Sequence, residues 1–172
     1  MYKLNSLKTY IIILLGIINY QSQAQSQYDI YSSMMLYFGK YVQWPTHLQS
    51  GDFTIGIVGN CPLKGKLESI ATAKNINGRK IVVKKIESNA DIKGCNIIFF
   101  PENKSESISN YKNTIKSENV LCVSEGDGNL SKGSVFNFIE ADGKVKFEYS
   151  SNEANTSGLK VSADLVKLAI AK

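Results

Sequence analysis

The residues best suited to chemistry in this sequence are few and scattered. The only histidine, His47, lies two residues after Pro45 in a predicted loop. A histidine can activate a serine or cysteine nucleophile that meets it in space, but the sequence has no nucleophile elbow of the type G-x-S-x-G. Glu140, Asp142 and Glu148 belong to a predicted hairpin, and we expect its polar face to be solvated. The sequence therefore predicts no catalytic residues, and a hydrolytic enzyme is the third-ranked function class.

The three cysteines, Cys61, Cys95 and Cys122, form no C-x-x-C pair, and with one histidine they assemble no zinc site. Cys122 lies inside an apolar run, which is typical of a buried thiol. Cys61 directly follows one predicted strand and Cys95 directly precedes another. In a parallel sheet these sulfurs start at opposite ends, which opposes pairing because bridged Cα atoms lie within about 7 Å. One disulfide and one free thiol remains the simplest arrangement, and we expect Cys61–Cys95 as the bridge.

A glycine pair, Gly56 and Gly59, ends a predicted strand before a helix and faintly resembles a dinucleotide-binding loop. The full G-x-G-x-x-G spacing is missing, and no acidic residue clearly takes the ribose-binding role. Small residues at this point also allow close packing of strand and helix, which is the favoured explanation. The sequence predicts no cofactor and no metal.

The first residues indicate export. Lys3 and Lys8 precede a short apolar run at residues 11–18, and Ser22 and Ala24 are the small residues that a signal peptidase requires. The run is shorter than the roughly 20 residues of a membrane-spanning helix. We therefore predict a signal peptide at residues 1–24, cleaved after Ala24, against the alternatives of an uncleaved anchor or a buried helix. Residues 25–172 form a single domain, which we expect to be exported.

The charge distribution argues against nucleic acid as a partner. The formal net charge is +5, but the lysines are scattered and Arg79 is the only arginine. A nucleic-acid interface is expected to concentrate Lys and Arg on one face.

The elements that must position any site follow a β-α-β-β-α-β order. An amphipathic helix at Tyr28–Trp44 precedes them. The predicted strands are Phe53–Gly59, Ile81–Ile86, Asn96–Phe100 and Val120–Val123, and the helices begin near Pro62 and cover Ser105–Ser117. Val135–Glu140 and Lys144–Tyr149 flank an Asp-Gly turn, and Ser162–Ala171 reads as a closing helix. The pattern predicts an α/β fold with a mostly parallel central sheet flanked by helices, a C-terminal β-hairpin and a closing helix.

Six aromatic residues crowd the first helix: Tyr28, Tyr31, Tyr37, Phe38, Tyr41 and Trp44. Half of them must face the core for the helix to pack. The others, above all Tyr28, Tyr31 and Trp44, form an exposed anchor for a partner in one interpretation, because Tyr and Trp dominate interface hot spots. Packing in the core explains the cluster equally well.

Several segments resemble the YfiR family of periplasmic proteins in the family's order. They are Tyr37–Pro45, Phe53–Gly59, Asn77–Arg79, Asp91–Phe99, Val120–Ser124, Asn137–Ile139, Gly143–Glu148 and Gly158–Ser162. The resemblance extends from Tyr28 to the C-terminus. Two positions depart from it: Ser134 replaces an expected glycine or other small residue, and Cys122 stands where a non-cysteine is more common. Three cysteines also cannot form the two disulfides of redox-controlled members.

The resemblance implies a periplasmic repressor of a membrane-bound diguanylate cyclase, and thus a role in cyclic-di-GMP signalling. It also implies an outer-membrane lipoprotein that sequesters the repressor, and a homodimer is a further expected assembly. We expect the protein to dock on the periplasmic part of a cyclase or sensor kinase through the first helix and the Val135–Tyr149 hairpin. The predicted partner-binding residues are Tyr28, Tyr31, Trp44, Asn137 and Phe138.

The alternative function is a periplasmic small-ligand carrier or sensor. Ligands of open α/β sheets bind beyond the carboxyl ends of the strands. In this sequence that edge is expected to contain Asn60, Pro101, Glu102, Ser124 and Glu125.

Overall fold

A computed structural model describes residues 27–170 of the chain, so the predicted signal peptide at residues 1–24 lies outside the described residues. The first helix, α1, covers residues 27–41. The other helices are α2 Leu63–Ala71, α3 Ile108–Ser117, α4 Ser151–Thr156 and α5 Ala163–Leu168. The strands are β1 Val42–Gln43, β2 Phe53–Val58, β3 Asn75–Ile76, β4 Arg79–Ile86, β5 Ile97–Phe100, β6 Leu121–Glu125, β7 Phe136–Ala141, β8 Lys144–Tyr149 and β9 Lys160–Val161.

Seven strands form one sheet in the order β3-β4-β2-β5-β6-β7-β8, and β1 pairs with β9 in a separate two-stranded sheet. The five inner strands run parallel. The edge strands β3 and β8 run antiparallel to their neighbours. The predicted α/β class is confirmed, but the prediction of a mostly parallel sheet needs correction to a mixed sheet. The antiparallel edge strand β8 belongs to the hairpin predicted from the sequence, whereas the antiparallel strand β3 at the opposite edge was not predicted.

Helices cover both faces of the sheet, which is why its central strands are apolar on both sides. All four residues of β5 are buried. Ile97 and Phe99 belong to the core beneath α1 and α2, whereas Ile98 and Phe100 belong to the core beneath α3. Alternate residues of each strand therefore supply the two hydrophobic layers.

Gly56 is required by close packing in the second of these layers. A β-carbon at this position would lie 2.7 Å from Ile86 Cγ1, closer than β-carbons approach other atoms, and 3.3 Å from Cys95 Sγ, a tight contact. The glycine therefore serves packing against residues of the neighbouring strand β4 and the segment before β5, and not the packing of strand against helix that the sequence favoured.

A polar cluster at the amino ends of β2 and β5 fixes the chain that follows α1. The Arg79 guanidinium donates to the backbone carbonyls of Leu48, Ser50, Gly51 and Asp52 at 2.6–3.3 Å and to Asn96 Oδ1 at 3.1 Å. Asn96 Nδ2 donates in turn to Leu48 O at 3.0 Å. The sole arginine of the chain is thus committed to holding a loop.

Two turns have the backbone geometry that Asn-Gly and Asp-Gly pairs favour. Asn77 and Gly78, between β3 and β4, have φ of 52° and 80°, and Asp142 and Gly143, between β7 and β8, have φ of 56° and 67°. Positive φ at both central residues is typical of type I′ hairpin turns. Among residues 27–170, no helix is long and apolar enough to cross a membrane.

Candidate functional site

The predicted partner contacts Tyr31 and Phe138 lie in the core. Tyr31 is 1% exposed, and its ring stacks on that of Phe138 with centroids 4.1 Å apart. Phe138 is equally buried in β7. The expectation that these two side chains are exposed is therefore wrong, because α1 turns Tyr31 towards the sheet.

Trp44 is also buried, with 5% of its surface exposed. Its indole N–H donates to the backbone carbonyl of Asn96 at 3.0 Å, and its ring meets Phe53 edge-on at 5.3 Å. The expected exposed anchor at Trp44 is wrong for a local reason. Helix α1 ends at residue 41, so Trp44 lies beyond the helix and does not follow its periodicity.

Asn137, predicted to contact a partner, is fully buried and holds three strands together. Its Nδ2 donates to Gly126 O at 2.7 Å and to Glu148 Oε2 at 2.9 Å, and its Oδ1 accepts from Ser124 Oγ at 2.7 Å. Buried polar groups need such partners to offset the loss of water. Asn137 therefore has a structural role at the start of the hairpin.

The exposed face of α1 carries a different set of side chains, which we call the α1 surface: Ile30, Ser33, Tyr37, Lys40 and Tyr41, with Lys74 beside them. Tyr37 and Tyr41 are 51% and 45% exposed and stack with centroids 6.0 Å apart. A shallow groove of about 540 Å³ separates them from the chain before β3. The sequence contains the signal, since Tyr37 and Tyr41 are four residues apart, but the predicted exposed anchor was Tyr28, Tyr31 and Trp44.

Tyr28 is the one predicted partner contact on α1 that remains half-exposed. Its hydroxyl donates to Glu125 Oε1 at 3.1 Å, and the backbone N–H of Glu102 donates to the same oxygen at 3.1 Å. Burial raises the pKa of Glu125, although these hydrogen bonds oppose the shift. Burial and the nearby Glu125 carboxylate raise the pKa of Tyr28.

These residues line a crevice of about 240 Å³ at the carboxyl ends of β2, β5 and β6. Four of the five residues expected at this edge, Asn60, Pro101, Glu102 and Glu125, line it. The fifth, Ser124, is buried and binds Asn137. The rule that ligands occupy the carboxyl ends of parallel strands was thus sufficient to find this crevice.

The three cysteines are free thiols, so the predicted Cys61–Cys95 bridge is not present. Cys61 packs against the core beneath α1 and α2, whereas Cys95 belongs to the core on the opposite face. The sheet therefore separates them. Cys122 is buried as expected, with Sγ 3.8 Å from Ser134 Oγ, and burial raises the pKa of its thiol to about 12.

His47 is exposed on a short 3₁₀ turn, Thr46–Leu48. Within residues 27–170, no group of three or more His, Cys, Asp or Glu side chains could hold a metal ion.

Comparison with known proteins places the fold and the family. No curated protein sequence matches the chain. A crystal structure of a conserved domain protein from Vibrio cholerae O1 biovar El Tor is similar in fold, with a TM-score of 0.50 and 14% identity. The match covers 67% of this chain and 53% of that one, so the chain spans about half the length of its structural relative. A family model described as YfiR/HmsC-like matches residues 28–170. The chain therefore belongs to the YfiR/HmsC-like family, whose members are generally periplasmic regulators of diguanylate cyclases.

Proposed function

We propose that this protein is a periplasmic regulatory binding protein that docks on the periplasmic part of a membrane diguanylate cyclase and represses it. Membership of a family of regulators supports the regulatory role. The observation that supports a docking site on α1 is the exposed, stacked pair Tyr37 and Tyr41. A sensor kinase with a similar periplasmic part is the other receptor class that fits.

The α1 surface has the composition of an interface. Large side chains left half in water contribute little to folding, whereas Tyr is enriched among residues that dominate binding energy. Stacking also restricts both rings before a partner arrives, which lowers the entropic cost of binding. Ile30, 44% exposed, extends the apolar area by two turns of the helix.

The charge beside these rings indicates the chemistry of the partner. Lys40 and Lys74 line the groove next to Tyr37 and Tyr41. Among residues 27–170, no carboxylate forms an ion pair with either lysine. We therefore expect the receptor to present an apolar segment with acidic residues to this groove, because complementary charges speed association and exclude wrong partners.

Repression requires a difference in affinity between receptor states. A regulator shifts an equilibrium only if it binds one state better than the other. The protein therefore binds the inactive arrangement of the receptor more tightly than the active one. An outer-membrane lipoprotein that covers the α1 surface would release the receptor by competition.

The test is capture of the receptor by a Tyr37→Ala/Tyr41→Ala double variant. We expect affinity for the isolated periplasmic part of the receptor to fall by about 2 kcal/mol, roughly thirtyfold. Stability should change little because both rings are exposed. Leu168→Ala is the matched control, since Leu168 is 64% exposed and lies on α5. Wild-type capture by the double variant would rule out the α1 surface as the docking site.

A small-ligand sensor is the second candidate function. The crevice at the carboxyl ends of β2, β5 and β6 supports it, because a buried carboxylate, Glu125, lines this crevice. The two functions are compatible, since the crevice and the α1 surface share no residue.

A further inference from the structure

The crevice at the carboxyl ends of the strands has two compartments that share Glu102 and Glu125, and we call the whole the carboxyl-edge crevice. The first compartment, of about 240 Å³, is lined by Tyr28 and Cys61. The second, of about 360 Å³, extends towards Tyr31 and the end of β7. The first compartment lies where the chain leaves β2 towards β4 on one side and leaves β5 towards β6 on the other. Such a divergence opens a ligand-binding gap in α/β sheets.

The lining of this crevice is acidic in a chain whose formal net charge is +5. Glu102 and Glu125 are joined in the second compartment by Asp127 and Glu140, and neither compartment is lined by a lysine or arginine. Like charges repel strongly where water is partly excluded. Carboxylate and phosphate ligands are therefore disfavoured, and an ammonium group is favoured.

Glu125 supplies the specific contact. The residue as a whole is 6% exposed, and its carboxylate forms no ion pair among residues 27–170. Tyr28 and the Glu102 N–H both donate to Oε1, and the Tyr31 hydroxyl is a third hydrogen-bond partner of this carboxylate. A carboxylate can accept about four hydrogen bonds, so Glu125 retains the capacity to accept from a ligand. A buried carboxylate without a cation is costly to the fold, which indicates a functional group.

The walls of the first compartment favour an organic cation over a metal ion. Tyr28 and the prolines Pro62 and Pro101 provide an aromatic and apolar lining. The ring of Tyr28 is held edge-on to Tyr31 at 5.5 Å. An aromatic face also attracts a cation directly. The compartment is smaller than the usual sites of drug-sized ligands, which are about 300–1,000 Å³, so its ligand must be small.

We propose that the carboxyl-edge crevice binds a small primary amine that has an aromatic or apolar body and no carboxylate. The ammonium group binds Glu125 and the body packs against Tyr28. This inference names the ligand class of the second candidate function and does not depend on docking through the α1 surface.

The first test uses the wild-type protein and the half-exposed thiol of Cys61. Because Cys95 and Cys122 are buried, iodoacetamide should alkylate Cys61 first. Tyramine at ten times its dissociation constant should slow this reaction roughly tenfold by occupying the crevice. Tyrosine and 4-hydroxyphenylacetate share the ring but carry a carboxylate, and we expect no protection from them. Equal protection by tyrosine, or none by tyramine at millimolar concentration, would overturn the proposal.

The second test changes the carboxylate. Glu125→Gln keeps an oxygen for Tyr28 and the Glu102 N–H but removes the charge, and tyramine affinity by calorimetry should fall at least about tenfold. Glu106→Gln is the matched control, because this carboxylate is 89% exposed and lines neither compartment. Unchanged affinity of Glu125→Gln for tyramine would overturn the proposal. If that variant does not fold, the comparison of tyramine, tyrosine and 4-hydroxyphenylacetate on the wild-type protein decides the proposal. The Tyr37→Ala/Tyr41→Ala variant should bind tyramine normally, which separates this proposal from the docking site.

Discussion

Replacing Trp44 tests whether this aromatic residue belongs to the core or to an interface. Trp44 is 5% exposed and packs edge-on against Phe53. Truncation of a buried aromatic side chain to alanine costs about 3–5 kcal/mol. Typical domains are stable by only about 5–15 kcal/mol, so Trp44→Ala should remove a large share of the total. For a domain of this size the melting temperature should fall by roughly 10–20 °C.

A graded variant distinguishes the packing of Trp44 from its hydrogen bond. Trp44→Phe retains a ring against Phe53 but loses the indole donor to Asn96 O. That carbonyl also accepts from the backbone N–H of Leu121 at 2.9 Å, so it keeps a partner. The cost should therefore be about 1–2 kcal/mol, less than half that of the alanine variant.

Urea unfolding followed by far-ultraviolet circular dichroism measures both variants. Fluorescence is unsuitable because Trp44 is the only tryptophan. Tyr41→Ala is the control on the same segment, since Tyr41 is 45% exposed and its loss should change stability by about 0.5 kcal/mol or less. Receptor capture by Trp44→Ala should fall only with the folded fraction. A stability loss below about 1 kcal/mol in this variant would refute the packing described for Trp44.

Two further predictions concern charge and backbone conformation. Burial raises the pKa of Glu125. The contribution of Glu125 to stability is therefore present below the unfolded pKa of about 4.3 and is lost as pH rises through the folded pKa. Glu125→Gln should melt higher than the wild type at pH 7 but not at pH 4, and an equal gain at both pH values would contradict this assignment. Asn77 has φ of 52°, so Asn77→Ala should lower the free energy of unfolding in urea by about 1–2 kcal/mol. Asn77→Gly should not lower it. Equal losses of stability in the two variants would contradict the turn geometry.

The strands could be predicted because their patterns are local. The observed strands β2, β4, β5 and β6 agree with the predicted segments within two residues at either end. Apolar runs and turn residues depend on neighbouring positions only, and this explains the agreement. The two-residue strand β3 is too short to show a periodic pattern, and the pairing of β1 with β9 joins distant parts of the chain, so periodicity did not reveal these strands.

The orientation of α1 could not be predicted as reliably. A helix with aromatic residues on most of its surface has no clear apolar face, and a rotation by one residue exchanges Tyr31 with Tyr37 and Tyr41. The core is chosen by the rings on β7, since Phe136 stacks on Phe38 at 4.3 Å and Phe138 on Tyr31. Four lining residues of the crevice, Asn60, Pro101, Glu102 and Glu125, could be predicted because they follow strand ends. The presence of Tyr28 in this crevice could not be predicted, because Tyr28 lies on α1, which precedes the β-α-β order.

The pairing of β1 with β9 has a consequence for the order of folding. Val42, directly after α1, pairs with Val161 near the other end of the described chain, and α1 itself packs on β7. Its tertiary contacts are therefore almost entirely non-local, and non-local contacts slow folding because long loops must close first. The β-α-β units between them close shorter loops, since Phe53 pairs with Ile81 and Ile97 pairs with Leu121. We expect those units to condense first and α1 to dock last, so that the surface carrying Tyr37 and Tyr41 takes its final position only when the whole domain has assembled.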